Sequence, residues 1–221
     1  MEFNLFSFLL MLFPLVMAIC FHEAAHAWSA HKLGDNTAFA QGRVTLNPLS
    51  HIDPVGTIAV PVLLWFLTGG SFLFGWARPV PVNLRNFKNI KRDDTIVSAA
   101  GPLSNLLMAL IWGLIFVIAF KVSMNDSGES ISTASALSQM AFFGIYINVI
   151  LAVFNLIPLP PLDGSHILRN WLSYEAEQVY RKIEPYGIYI LMALVFFNIL
   201  PIGMISAGIT NVIISFFSLL F

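Results

Sequence analysis

The chain has 221 residues, 57% of them hydrophobic and only 10% charged, with a mean hydropathy of +0.79. Soluble domains carry roughly 25% charged residues, so this composition excludes a soluble globular protein and predicts an integral membrane protein. Eleven basic residues against twelve acidic ones leave a net charge of −1 and no basic field for nucleic acid.

The first apolar stretch covers residues 4–31. Glu2 stands where a signal peptide would carry a basic residue, and no small-residue cleavage pattern follows, so a retained membrane helix is expected. The single cysteine, Cys20, lies in this run, where a small buried hydrophobe is its ordinary role. Toward the end of the stretch stands H22-E-A-A-H26. On a helix, His22 and His26 leave one face a turn apart and can grip one metal ion, with Glu23 beside them. In such a pattern the histidines bind Zn2+ and the glutamate, not itself a ligand, moves the proton of a hydrolysis. Ionisable groups inside a membrane are costly, so three within five residues read as a functional site rather than a chance pair of buried histidines.

Residues 35–48, DNTAFAQGRVTLNP, alternate polar and apolar around Gly42 and predict a small membrane-associated β-hairpin. Its edge would accept an extended substrate as an added strand. The stretch 55–74 contains Pro61 and the Gly69-Gly70 pair, between NPLSHIDPVG and GWARPVPVN, and reads as re-entrant. Stretches 95–120 and 136–158 exceed the ~20 residues a crossing helix needs. The last, 187–221, is interrupted by Pro201 and Gly203 and reads as one broken helix or a pair. The expected fold is an all-α polytopic membrane protein of about five to six membrane segments, one re-entrant, plus the β-hairpin. It forms one membrane domain over 1–221, with a core over about 4–170 and C-terminal helices over about 171–221.

Charge placement tests the topology. If 55–74 does not cross, ten of the eleven basic residues share one face and only Lys121 lies opposite; a crossing would divide them eight to three. The positive-inside rule favours the first arrangement, with the basic face cytoplasmic. Catalytic zinc usually keeps three protein ligands. The remaining candidates are His31, His51, His166, Asp53 and Asp163. Asp163 stands out, because it closes N155-L-I-P-L-P-P-L-D163-G, where prolines and Gly164 break the helix. HEAAH and Asp163 lie at the same membrane face only if 55–74 fails to cross, the topology the charges favour independently.

HEAAH, the N155…D163-G motif and the intervening S98-A-A-G-P-L-S-N105 together resemble the site-2 proteases, intramembrane zinc metalloproteases of peptidase family M50. NPLSHIDPVGT and GWARPVPVN are similar to the small bacterial branch that lacks PDZ and CBS domains. The resemblance implies one Zn2+ per chain held by His22, His26 and Asp163, Glu23 as general base, and Asn155 as a polar group near the reacting carbonyl. It implies hydrolysis of peptide bonds within or next to the transmembrane segments of membrane-anchored substrates, with the active site toward the cytoplasmic side of a bacterial membrane. His51 recurs in that branch, where the resemblance implies that it orients substrate or stabilises the loop, structure being the ordinary role. Ser165-His166 departs from the more usual Gly-Arg and makes His166 an interfacial residue or an accessory ligand. The competing class is a metal transporter or metal-binding membrane protein using the same histidines; one compact ligand set and no visible repeat favour hydrolysis.

Overall fold

The computed structural model describes residues 5–69, 75–125, 130–197 and 199–220. Long runs of Leu, Ile, Phe, Ala and Met with few interrupting charges drive helix formation throughout, since a backbone in lipid must satisfy its own hydrogen bonds. Four helices are long and apolar enough to cross a membrane, within α1 (Leu5–Lys32), α4 (Ile90–Asn125), α5 (Ser130–Asn155) and α9 (Ile202–Leu220). Between and after them lie the shorter α2 (Thr37–Ala40), α3 (Val60–Thr68), α6 (Asp163–Trp171), α7 (Tyr174–Arg181) and α8 (Gly187–Phe196).

Helices α1, α4 and α5 form the central bundle; α9 packs on α4 and α5, and α6 docks on α4. Small residues allow the close approach that membrane helices use in place of a hydrophobic driving force. Ala18, Ala109 and Ala141 are fully buried, and the indole of Trp112 lies directly against Gly144. One core cluster joins Leu15 and Ile19 of α1 to Trp65 of α3 and Ile147 of α5; another joins Trp112 of α4 to Ile145 and Val149 of α5 and Ile213 of α9.

Two expectations need correction. Among the described residues there is no β-strand, and the hairpin expected over 35–48 is absent. The Asp35 carboxylate accepts from Thr37 N, Thr37 Oγ1, Asn83 N and Asn86 Nδ2 at 2.5–3.0 Å. These bonds start the single turn α2, which closes with Arg43 N donating to Ala38 O at 2.9 Å. The alternating pattern belongs instead to a loop that buries Ala38 and Arg43 while leaving Phe39 and Leu46 exposed. Among the described residues four helices are long and apolar enough to cross, against the five to six membrane segments, one of them re-entrant, expected from the sequence. From Pro54 the chain forms six residues of wide helix and then α3, nine residues long, ending at Gly69. That is about 22 Å of helix, short of the ~30 Å hydrocarbon core. Trp76 N then donates to Gly56 O at 3.0 Å, so the chain is back where the stretch began; Gly70 falls outside the described residues. The C-terminal region divides at Pro201 into α8, ten residues and too short to cross, and α9.

Candidate metal centre

The centre is built where two helix stripes of period four meet. His22 and His26 lie one turn apart on the buried face of α1, and Val97, Gly101 and Asn105 occupy one face of α4. His22 Nδ1 lies 2.6 Å from Asn105 Oδ1, and His26 Nδ1 lies 2.7 Å from the Val97 carbonyl oxygen. Both partners only accept, because the Asn105 amide nitrogen is itself donating to Ala18 O and Asn148 Oδ1 at 3.0 Å each. Each neutral imidazole therefore carries its hydrogen on Nδ1 and presents a bare lone pair at Nε2.

Those two Nε2 atoms face each other at 3.0 Å. Asp163 completes the group. The prolines after Asn155 end α5, and α6 starts at Asp163, whose Oδ2 lies 3.2 Å from His22 Nε2 and 3.4 Å from His26 Nε2. Gly164 permits this seating, since a Cβ there would run into the Leu156 carbonyl and lie 2.6 Å from Ile157 O. His22, His26 and Asp163 are the His/Cys/Asp/Glu group among the described residues with ligand atoms close enough to hold one ion.

These residues fit a divalent cation. Two nitrogen lone pairs and a carboxylate oxygen converge with no hydrogen between them, and Asp163 Oδ2 is buried without a hydrogen-bond donor. Ligand atoms about 2 Å from one tetrahedral ion stand about 3.3 Å apart, close to the separations here. Gly101 lines the same space: a Cβ at this position would lie 2.6 Å from His22 Cε1 and closer still to His26 Nε2. Two imidazoles and a carboxylate are a donor set suited to zinc.

Glu23 is half-buried beside the histidines, and its Oε2 accepts from Val80 N at 2.8 Å. Val80 belongs to the non-helical segment 75–83, held in place by the buried Arg43, which donates to Arg78 O and Pro79 O at 2.6 and 2.5 Å. Burial lowers the Arg43 pKa from its ordinary value, and the nearby Glu23 charge opposes that shift.

The other sequence candidates are not members of the three-residue ligand group. Asn155 ends α5 with Nδ2 donating to Leu151 O at 3.0 Å. His51 is fully buried and bonds through Nε2 to Thr45 O at 2.9 Å, while its own carbonyl accepts from Arg78 N. His166 turns to Asp94, 3.4 Å away, within an ion-pair cluster that also contains Arg169. His31 bonds to Asn36 Oδ1 at 2.7 Å. Asp53 caps the turn that follows it through Val55 N and Gly56 N.

Residues 9–198 match peptidase family M50. The chain belongs to that family. Its relatives include "Putative zinc metalloprotease YwhC" of Bacillus subtilis, 41% identical over 174 residues that cover 78% of this chain and 73% of that protein. "Putative zinc metalloprotease Rip2" of Mycolicibacterium smegmatis is 32% identical over 171 residues, covering 77% of this chain and 60% of that protein. "Putative zinc metalloprotease MJ0611" of Methanocaldococcus jannaschii is 26% identical over 168 residues, 76% of this chain and 73% of that one. No solved structure matches the chain significantly. With four helices among its described residues long and apolar enough to cross a membrane, this M50 member is an intramembrane zinc metalloprotease with Zn2+ as its cofactor, and the transporter reading is not favoured.

Sequence reasoning gave no role to Gly101, Asn105 or Asn148. Positions 97, 101 and 105 repeat every fourth residue on α4, the signal that would have placed all three on the face opposite HEAAH.

Proposed function

We propose that His22 Nε2, His26 Nε2 and Asp163 hold the zinc ion, that Glu23 handles the proton, and that the substrates are membrane-anchored proteins cut within or next to a transmembrane segment. The observation that carries this reading is the convergence of two imidazole nitrogens and a buried carboxylate oxygen within 3.0–3.4 Å.

When bound, zinc supplies a Lewis acid that polarises a carbonyl and lowers the pKa of bound water to about 7. The Val80 amide fixes one oxygen of Glu23 and leaves the other to take a proton from water and pass it to the leaving amine. Asn155 retains a second amide hydrogen beyond the one given to Leu151 O, and offers it to the substrate carbonyl. The bundle surrounds the site with apolar helices and keeps bulk water from the reacting groups. Ten of the eleven basic residues lie in segments at the end of the bundle that carries HEAAH, and Lys121 lies toward the other end of α4. This charge bias supports a cytoplasm-facing site, and the Bacillus relative supports a bacterial cytoplasmic membrane. The whole chain acts as one membrane protease domain.

Zinc content and cleavage of a membrane-anchored reporter test the assignment together. Wild type and Glu23→Gln should each hold one zinc per chain, Asp163→Ala should lose it, and only wild type should cleave. Zinc lost from Glu23→Gln but kept by Asp163→Ala would refute the ligand set.

A further inference from the structure

We infer that Asn148 of α5, which bonds to neither histidine, sets the tautomer of His22 through Asn105 and so prepares the zinc site from a third helix. This rests on the reading of His22 as a zinc ligand.

Both asparagines are fully buried within membrane helices, where an unsatisfied amide is costly. Asn148 Nδ2 donates to Gly144 O, one turn back, at 2.8 Å. That bond commits its nitrogen to α5 and leaves Oδ1 facing α4. Asn148 Oδ1 accepts from Asn105 Nδ2 at 3.0 Å, and Ala18 O of α1 takes the second hydrogen of the same amide at 3.0 Å. Both hydrogens of Asn105 are thus spent on groups that cannot donate in return. A flipped Asn105 would set its oxygen against two acceptors and its NH2 against the imidazole. Its Oδ1 therefore stays 2.6 Å from His22 Nδ1, and the hydrogen between them belongs to the imidazole. One directed chain of hydrogen bonds runs from Gly144 through Asn148 and Asn105 to His22 and ends on the bare Nε2 lone pair.

A neutral imidazole can carry its hydrogen on either nitrogen, and only the Nδ1–H form presents Nε2 to a metal. His26 gets its tautomer from a helix carbonyl, which cannot rotate away. His22 depends on a side-chain amide, which could, and Asn148 locks that amide together with the Ala18 carbonyl. Removing Asn148 leaves the Ala18 carbonyl alone to hold Asn105, weakens the bias against turning its NH2 toward His22, and lets the ring rest more often with its hydrogen on Nε2, the position zinc needs. Asn148 is accordingly a positioning residue for metal loading.

The test is the zinc dissociation constant of the full chain in detergent, by competition with a chromophoric chelator. Asn105→Leu and Asn148→Leu should each weaken zinc binding about tenfold or more, the range for loss of a group that orients a ligand. Asn148→Asp should stay close to wild type, because a neutral carboxylic acid in this buried place keeps one acceptor for Asn105 and one O–H for Gly144 O. Thermal melting of the zinc-free chains separates packing damage from the metal effect. Wild-type affinity in Asn148→Leu overturns the inference, as does a loss in Asn148→Asp equal to that in Asn148→Leu. His22→Ala with undiminished zinc overturns the ligand assignment instead, a distinct result. If the leucine variants do not fold, nitrogen NMR of histidine-labelled, zinc-stripped wild type decides: His22 must carry its hydrogen on Nδ1, and an Nε2–H ring refutes the relay.

Discussion

Replacing Gly101 with alanine adds a single methyl group where α4 passes the two imidazoles. The new Cβ would lie 2.6 Å from His22 Cε1 and closer to His26 Nε2, against an ordinary contact of 3.4 Å or more. The rings would have to retreat by roughly 0.8 Å or more, and close packing gives them little room. They are also tethered at Nδ1 by Asn105 and the Val97 carbonyl, so they cannot simply swing aside. Overpacking of this kind costs about 1–3 kcal/mol. Because the strain falls on the metal ligands, it should appear as zinc affinity lowered by about 10- to 100-fold, at 1.4 kcal/mol per tenfold. The assay is chelator competition on full-length protein, with cleavage of a membrane-anchored reporter alongside. Gly113→Ala is the control: its Cβ would press on Ile213 and Phe217 of α9, away from the centre, and should lower stability while sparing zinc. A Gly101→Ala chain that holds zinc with wild-type affinity and cleaves normally would refute the reasoning.

Val80→Pro removes the N–H that holds Glu23 at a position already flanked by Pro79 and Pro81; cleavage should fall about tenfold, the value of a hydrogen bond to a charged group, with zinc content unchanged and Val80→Ala near wild type. A drop in Val80→Ala equal to that in Val80→Pro would show that the amide is not the cause. Burial acts to raise the Asp35 pKa, but its hydrogen-bond donors outweigh this and hold it below the ordinary carboxylate value. Its stabilising contribution is therefore complete above the unfolded pKa of about 3.9 and lost as pH falls through the lower folded value. Hydrogen exchange of residues 35–50 should accelerate at the acid end of the range, and Asp35→Asn should flatten that dependence.

The elements read most easily from the sequence were those governed by one local rule. A long apolar run with few charges must be a helix in lipid, which is why stretches 4–31, 95–120 and 136–158 correspond to α1, α4 and α5. The 35–48 segment failed because alternation is only half of a strand. The other half is a partner, and Asp35 instead takes local hydrogen bonds from Thr37 N and Oγ1 and long-range ones from Asn83 N and Asn86 Nδ2, which compete with any ladder. At the site, HEAAH announced itself by placing ionisable groups in a membrane helix, and Asp163 by ending a helix among prolines. Gly101 and Asn105 stood in a motif of the resemblance but without a role, and Asn148 was silent, because glycine and asparagine acquire a role only when their neighbours across helices are known. The role of Asn148 exists only in the contact of α5 with α4.

The arrangement also explains why so few polar side chains suffice inside the bundle. An intramembrane amide or imidazole without a partner is costly, so each must be paired, and a histidine paired at both nitrogens could not bind metal. The chain resolves this conflict by directing hydrogen bonds one way. His22 of α1 donates to Asn105 of α4, whose amide donates on to Asn148 of α5, so the hydrogens point away from the cleft and the unpaired lone pairs accumulate where α6 delivers a carboxylate. Every polar group along the route is satisfied except those facing the cleft, where Asp163 Oδ2 remains buried without a donor. Zinc bound there would join α1 to α6, residues far apart in sequence, and add its binding free energy to the stability of that junction. Metal loading and the docking of α6 should therefore be one coupled equilibrium: the contacts that seat α6 on α4, led by Asp94 with Arg169 and Asn170, favour the same state that the ion favours.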